Sequence, residues 1–233
     1  AFDQYRFQSI YQMVHNFCAV EMGSFYLDII KDRQYTCKTK SIARRSSQTA
    51  MYYILEALVR WLAPILSFTA EEIWQHMPGE RTESVFLSAW FDDFPAINGR
   101  QALDWTLMMQ VRDEVNKVLE QCRRAGKLRS ALDANVVLYA SEAYLKPLLL
   151  LGDELRFLLI TSEADVMPIA DKTATAAVSD LSGLMVDVLV SSHDKCERCW
   201  QRRPDVGQSK DHPTLCGRCE DNVFGQGEER RYA

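Results

Sequence analysis

The sequence contains no stretch that reads as a secretory leader. Its first residues, AFDQYRFQSI, carry no basic start followed by an unbroken apolar core. It has no long apolar run either. The greasiest stretch, residues 52–68, is interrupted by Glu56, Arg60 and Pro64, whereas a membrane span needs about 20 largely uncharged residues. These two absences lead us to expect a cytoplasmic chain with no membrane partner. Glycine and proline are scarce, 10 and 7 in 233 residues, which excludes collagen-like or linker-dominated chains. The histidines, His15, His76, His193 and His212, are far apart. With no glycine-rich phosphate loop either, no catalytic constellation is assembled. Cysteine is odd in number, seven, so a fully paired disulfide framework is not expected. Positive charge is in deficit too: the net charge is −5, which on average argues against a nucleic-acid binder.

What is present is a globular composition, 47% apolar and 25% charged, with length for one or two domains and a small appendage. There is no initiator Met, and a helical pattern is already running at Phe2. The expectation is a C-terminal piece of something longer.

Three segments differ in character. Residues 1–95 read as an antiparallel helix bundle. Ile10, Met13, Val14, Phe17 and Cys18 recur on one helix face, which makes Cys18 a buried thiol. Gly23 and Ser24 punctuate, and a short helical stretch follows. From Ile42 a long amphipathic run keeps Met51, Ile54, Leu55, Leu58, Trp61, Leu62 and Ile65 at near-heptad spacing, until Pro64 kinks or ends it. Thr69 to Glu72 reads as a capping box opening a last helix, with Met77-Pro78-Gly79 closing it. Residues 96–190 read as a small α/β domain. A turn at Asn98-Gly99 precedes a helix over 102–125, with strands at 135–140, 164–169 and 184–190. A helix over 144–159, interruptible at Gly152, lies between them, and 170–183 reads as loop. Residues 191–233 have little apolar content and four cysteines, and so short a segment needs a staple to fold. The fold class is therefore mainly α: a helix bundle, a small α/β domain and a cysteine-stapled tail.

The charge is uneven. Residues 31–45 hold six bases, Lys31, Arg33, Lys38, Lys40, Arg44 and Arg45, against the single acid Asp32. Residues 117–129 hold five bases against Glu120, whereas residues 153–194 hold eight acids against two bases. A focused patch binds phosphates even on an acidic protein, because screening confines the field to about 8–10 Å. A solvated helix face is the competing reading of each patch. Tyr26 and Tyr35 near the first patch read as packing residues, with base stacking as the alternative.

The strongest chemical signal is Cys196-Glu-Arg-Cys199, sixteen residues, then Cys216-Gly-Arg-Cys219. Two residues between cysteines let a tight turn aim both sulfurs at one point, so two such pairs close a tetrahedron around a metal. Gly217 suits unusual turn angles. Four thiolates leave no open position, so the metal is structural rather than catalytic. Zinc is the expected ion, with iron in a rubredoxin-like site as the alternative and disulfides behind both. Arg198 and Trp200 flank Cys199. The indole either packs over the metal turn or is displayed as a stacking platform, and the guanidinium either donates to sulfurs or faces outward. A cation and an indole on one rigid turn suit an unpaired base.

These strings carry a family resemblance. Phe25-Tyr26-Leu27-Asp28, Lys31 to Thr36 (KDRQYT), Arg44 to Ala50 (RRSSQTA) and Ala63 to Trp74 (APILSFTAEEIW) together resemble the anticodon-binding helical domain of class I aminoacyl-tRNA synthetases of the isoleucine, valine and leucine branch. Lys195 to Trp200 (KCERCW), Cys216 to Cys219 and Gly227 to Ala233 (GEERRYA) resemble the zinc-bearing tail of bacterial isoleucyl-tRNA synthetases. The resemblance spans nearly the whole chain and is weakest in the middle segment. It implies a structural Zn2+, a tRNA(Ile) anticodon stem-loop as partner, attachment to the remainder of a synthetase chain, and a monomer. ATP and isoleucine would be handled by a catalytic domain whose signatures do not occur here, so the stretch alone would not aminoacylate. It further implies RNA contacts at Arg198 and Trp200 and phosphate contacts at Arg44 and Arg45, with Lys38 and Lys40 in the same patch. Two other readings stand beside it: a zinc-finger DNA-binding module of the glycosylase type, and a purely structural metal domain.

Overall fold

A computed structural model describes residues 1–95 and 103–233, so the expected turn at Asn98-Gly99 lies outside the described residues. About half the chain is helical and one small mixed sheet is present, so mainly α holds. None of the described helices is long and apolar enough to cross a membrane. The chain folds as two compact units, Ala1–Tyr26 with Arg45–Arg100, and Leu27–Arg44 with Gln101–Ala233. The sequence suggested three successive domains. In the two-unit grouping residues 27–44 fall with the C-terminal half.

In the first unit, helix α1 (Phe7–Asn16) runs into a π-helical stretch, Phe17–Tyr26. Gly23 and Ser24 therefore do not punctuate; Ser24 Oγ donates to the Ala19 carbonyl five residues back, at 2.9 Å, the spacing of the wider coil. Cys18 is exposed rather than buried, because widening the coil rotates the apolar stripe off register. Helix α3 (Ile42–Leu62) stops two residues before Pro64, and α4 is Ser67–His76. The expected capping box at Thr69 is not formed. Helix α4 begins earlier, at Ser67, with no side-chain cap, and Glu71 accepts instead from Ser84 Oγ at 2.8 Å and from the Val85 amide at 3.0 Å. That carboxylate fastens the segment after α4 rather than the start of α4. The core gathers Val59, Ala63, Ala70, Trp74, Met77 and Val85, with Leu55 against it. Beside it, Arg60 and Arg81 each lie 4.7 Å from the Trp74 ring centre, and both pair with the buried Glu56.

In the second unit, α2 (Leu27–Thr36) and α5 (Trp105–Arg124) accompany a four-stranded sheet. Asp104 caps α5, its carboxylate accepting from the Leu107 amide at 3.0 Å. The strands are β1 (Ala134–Ala140), β2 (Glu163–Pro168), β3 (Ala177–Val178) and β4 (Leu184–Val190). Their order is β2-β1-β4-β3, with β1–β2 parallel and the other pairs antiparallel. The parallel pair requires a crossover, supplied by α6 (Glu142–Leu149) and α7 (Leu155–Leu159), with Gly152 at φ +51° between them. Met108, Val111, Val115, Val136, Leu138, Leu148, Leu155, Leu158 and Val186 form the buried interior of this unit.

Candidate metal centre

The four cysteines expected as ligands come together. Their sulfurs all lie within 4.8 Å of one another and all four residues are buried. A tetrahedral shell with metal–sulfur bonds of ~2.3 Å spaces its sulfurs by about 3.8 Å, and Cys199 Sγ lies 3.8 Å from Cys216 Sγ. The donor set is all thiol, so it suits a soft or borderline ion and leaves no open position for substrate.

The two pairs are built differently. Cys196–Cys199 lies on a tight turn. The Trp200 amide donates to the Cys196 carbonyl at 2.9 Å, the Cys196 amide donates to the Gln201 carbonyl at 2.9 Å, and Trp200 sits at φ +65°. The left-handed residue is thus the tryptophan. Gly217 has no such angle; a Cβ there would stand 3.0 Å from the Asp205 carboxylate, to which the Gly217 amide donates at 2.8 Å. Its lack of a side chain serves close approach, not turn geometry. The second pair opens helix α8 (Gly217–Phe224), with Cys216 as N-cap residue and Cys219 in the first turn. There the helix dipole favours thiolate. His212 is no ligand: its ring stacks on Phe224 at 4.0 Å.

Each pair carries an arginine at the same place, Cys-x-Arg-Cys, and both arginines reach helix α2. Arg198 donates to the last carbonyls of α2, Thr36 at 2.5 Å and Tyr35 at 3.3 Å. Arg218 clasps Asp32 with two N–H groups, at 2.7 and 2.9 Å. Asp32 also accepts from Arg230. Glu228 bridges Arg218, Arg230, Asn222 and the Cys37 thiol at 3.2, 3.1, 2.8 and 3.2 Å. The ring of Phe157 on α7 lies under both guanidiniums, at 5.0 and 3.3 Å. Burial by itself would raise the Asp32 carboxyl; Arg218 and Arg230 outweigh it and hold it far below the usual range. Burial and the neighbouring Glu228 push the Cys37 thiol up to about 12. Cys37, not Cys18, is the buried thiol outside the ligand set.

The tail is fastened elsewhere too. Arg202 pairs with Asp133 at 2.7 Å, Arg203 donates to the Ser162 carbonyl at 3.1 Å, and Glu154 accepts three successive amides, Arg231 to Ala233, at 2.7–2.8 Å. An apolar cavity of about 330 Å³ lies among α2, α7 and the first cysteine turn, walled by Ile29, Leu132, Phe157, Ile160, Trp200 and Gln201. Trp200 is 60% exposed, and Lys195 Nζ lies 5.4 Å from its ring centre. The buried side-chain amide oxygen of Gln201, Oε1, accepts no hydrogen bond from the described residues.

A family profile described as the anticodon-binding domain of tRNA ligase matches residues 1–138. The chain belongs to that family. A second profile, the zinc finger found in FPG and IleRS, matches residues 194–222. The chain is 58% identical over its whole length to the isoleucine–tRNA ligase of Coxiella burnetii strain Dugway 5J108-111. It is 56% identical, again over its whole length, to those of Legionella pneumophila strain Lens and Azotobacter vinelandii. It spans about a quarter of the length of these relatives.

In this anticodon-binding domain the expected basic residues separate into two groups. Lys38 is engaged with the tail, Nζ donating to the Gly225 carbonyl at 2.5 Å and the amide facing Asn222 Oδ1 at 3.3 Å. Lys40 and Arg45 are exposed and Arg44 is half-buried near the start of α3. Tyr35 is 74% exposed, not a packing residue, whereas Tyr26 OH donates to the Ser47 carbonyl at 3.3 Å. The second basic patch is largely paired: Lys117 with Glu114 and Asp180, Arg123 and Arg124 both with Glu120. Sequence reading missed Asp32, Arg218, Glu228 and Arg230 as a cluster. The repeated Cys-x-Arg-Cys string was the available signal.

Proposed function

We propose that this chain is the anticodon-arm reader of an isoleucine–tRNA ligase. The whole enzyme would join isoleucine to tRNA(Ile) at the expense of ATP in a part of the polypeptide outside this sequence. We place the ligase in the cytoplasm as a monomer and assign residues 1–95 to the antiparallel bundle of its family. The observation that carries the reading is Trp200. A large indole stands exposed on a metal-fixed turn, at the rim of an apolar cavity, on a chain of the anticodon-binding family. Such a ring stacks on an unpaired base. Lys40, Arg44 and Arg45 supply phosphate contacts, which position RNA without reading its sequence. Arg198 and Lys38 serve the RNA in a different way, by holding the protein parts that face it. The metal is zinc, held by Cys196, Cys199, Cys216 and Cys219, and its work is structural.

The test is equilibrium binding of the metal-loaded chain to a tRNA(Ile) transcript. Affinity is expected to fall steeply with salt. Trp200→Ala is expected to weaken binding by about 1–3 kcal/mol with one zinc per chain retained by elemental analysis. Salt-independent binding, full affinity without Trp200, or preference for duplex DNA over tRNA would contradict the reading. Iron in place of zinc would contradict the metal assignment alone.

A further inference from the structure

The two arginines enclosed by the cysteine pairs have a common target, and this makes the metal site a grip on one helix. Arg198 takes the last two carbonyls of α2, and Arg218 takes Asp32 one turn earlier. The chain leaving α2 continues through Cys37 and Lys38, both fastened to the tail by Glu228, Asn222 and Gly225. Two residues on stands the exposed Lys40, and then Arg44. A free helix end leaves its last carbonyls unsatisfied and frays. A charge-bearing donor on those carbonyls fixes the final turn.

We propose that Arg198 and Arg218 are positioning residues through which the metal-loaded cysteine pairs set the end of α2 and, with it, the stretch from Lys40 to Arg44 that carries the proposed phosphate contacts. The metal then acts on RNA binding at a distance, by holding two guanidiniums that never touch the RNA in this role. Without the metal the four thiols have no common centre, the turn and the start of α8 lose their geometry, and neither arginine keeps its place over α2. The half-buried Asp32 carboxylate then keeps its ion pair with Arg230 and loses that with Arg218, a costly arrangement that the α2 end relieves by moving. Cys37 reports this directly. It is 1% exposed beneath the cluster, so its alkylation requires the α2 end to separate from the tail.

The inference rests on the RNA-binding reading above, and its test keeps the two apart. The metal-loaded chain carries Cys18→Ser and Cys122→Ser, leaving Cys37 as the thiol outside the ligand set. Three quantities are measured: zinc per chain, the rate of Cys37 alkylation by iodoacetamide read from its peptide mass, and affinity for a tRNA(Ile) anticodon stem-loop RNA. In Asp32→Asn and in Arg218→Gln, zinc is retained, Cys37 reacts about tenfold faster and RNA affinity falls about tenfold. Lys40→Ala lowers RNA affinity without changing Cys37, and adds little further loss in the Asp32→Asn chain, because its contact is already displaced. A Cys37 that reacts faster while RNA affinity stays at the unmutated value overturns the proposal, as does a full additive loss with Lys40→Ala. If the variants fail to hold zinc, chelation of the unmutated chain decides: faster Cys37 alkylation on metal removal supports the grip, and unchanged alkylation overturns it. An unmutated chain that binds no RNA contradicts the proposed function, while the alkylation arm still tests the link from metal to α2.

Discussion

Glu56 shows what single residues contribute. It is 4% exposed and sits between Arg60 and Arg81. Burial pushes its carboxyl up, but hydrogen bonds from Arg81, Tyr52 and Arg60 outweigh that and hold it at about 2, against 4.5 ordinarily. A lowered folded value means its stabilisation is full above the unfolded value and is lost as pH falls from about 4.5 towards 2. Glu56→Gln is expected to cost about 3 kcal/mol at pH 7, because two guanidiniums lose their buried counter-charge. The variant should also show a flatter acid limb over that range. Urea unfolding at pH 7 and pH 3 measures both, and an unaltered pH dependence would count against the ion pair. At this scale the four-cysteine cluster was legible, because a C-x2-C pair encodes its own geometry in adjacent residues. Cys18 was misassigned and the buried Cys37 was not singled out, because burial depends on remote partners: the Cys37 thiol donates to Glu228, 191 positions away. The Gly217 reading failed similarly, since the decisive neighbour is the Asp205 carboxylate.

The elements were legible where a long period or a strong cap announces them. The helix expected over 102–125 is found as α5 from Trp105, the β-branched run at 135–140 marks β1, and Pro64 bounds α3. The π-helical stretch was not, because Gly23 and Ser24 read as a break wherever the i→i+5 alternative is ignored. The two-residue strand β3 exists only by pairing with β4, and the early start of α4 frees Glu71 for a partner fourteen residues ahead. Element stability follows the same logic. Helix α8 has eight residues, too few to persist in isolation, and two of the clustered cysteines stand at its start, Cys216 as N-cap and Cys219 in the first turn. Chelation of the metal is therefore expected to remove amide-exchange protection from residues 195–224 and from the last turn of α2, with α3 and α4 protected as before. Hydrogen exchange with mass readout checks this. Global loss of protection would show the metal to be the staple of the whole chain, and no loss at all would show the cysteine cluster to be dispensable.

At the scale of the molecule, the net charge of −5 conceals a sorting of cations. Lys117, Arg123 and Arg124 are neutralised by neighbouring carboxylates, and Arg218 and Arg230 are paired with Asp32 and Glu228. Lys40 and Arg45 stand exposed. The linear order of segments suggested three domains. The fold groups 27–44 with the cysteine tail in one compact unit, joined by ion pairs spanning up to 198 positions, and no local pattern announces such pairs. The central claim is that this chain reads the anticodon of tRNA(Ile). It is tested most directly by titrating the zinc-loaded chain with tRNA(Ile) and with the same tRNA carrying another anticodon. The expected result is a preference of about tenfold or more for the isoleucine anticodon, abolished by Trp200→Ala. Equal affinity for both RNAs would contradict it.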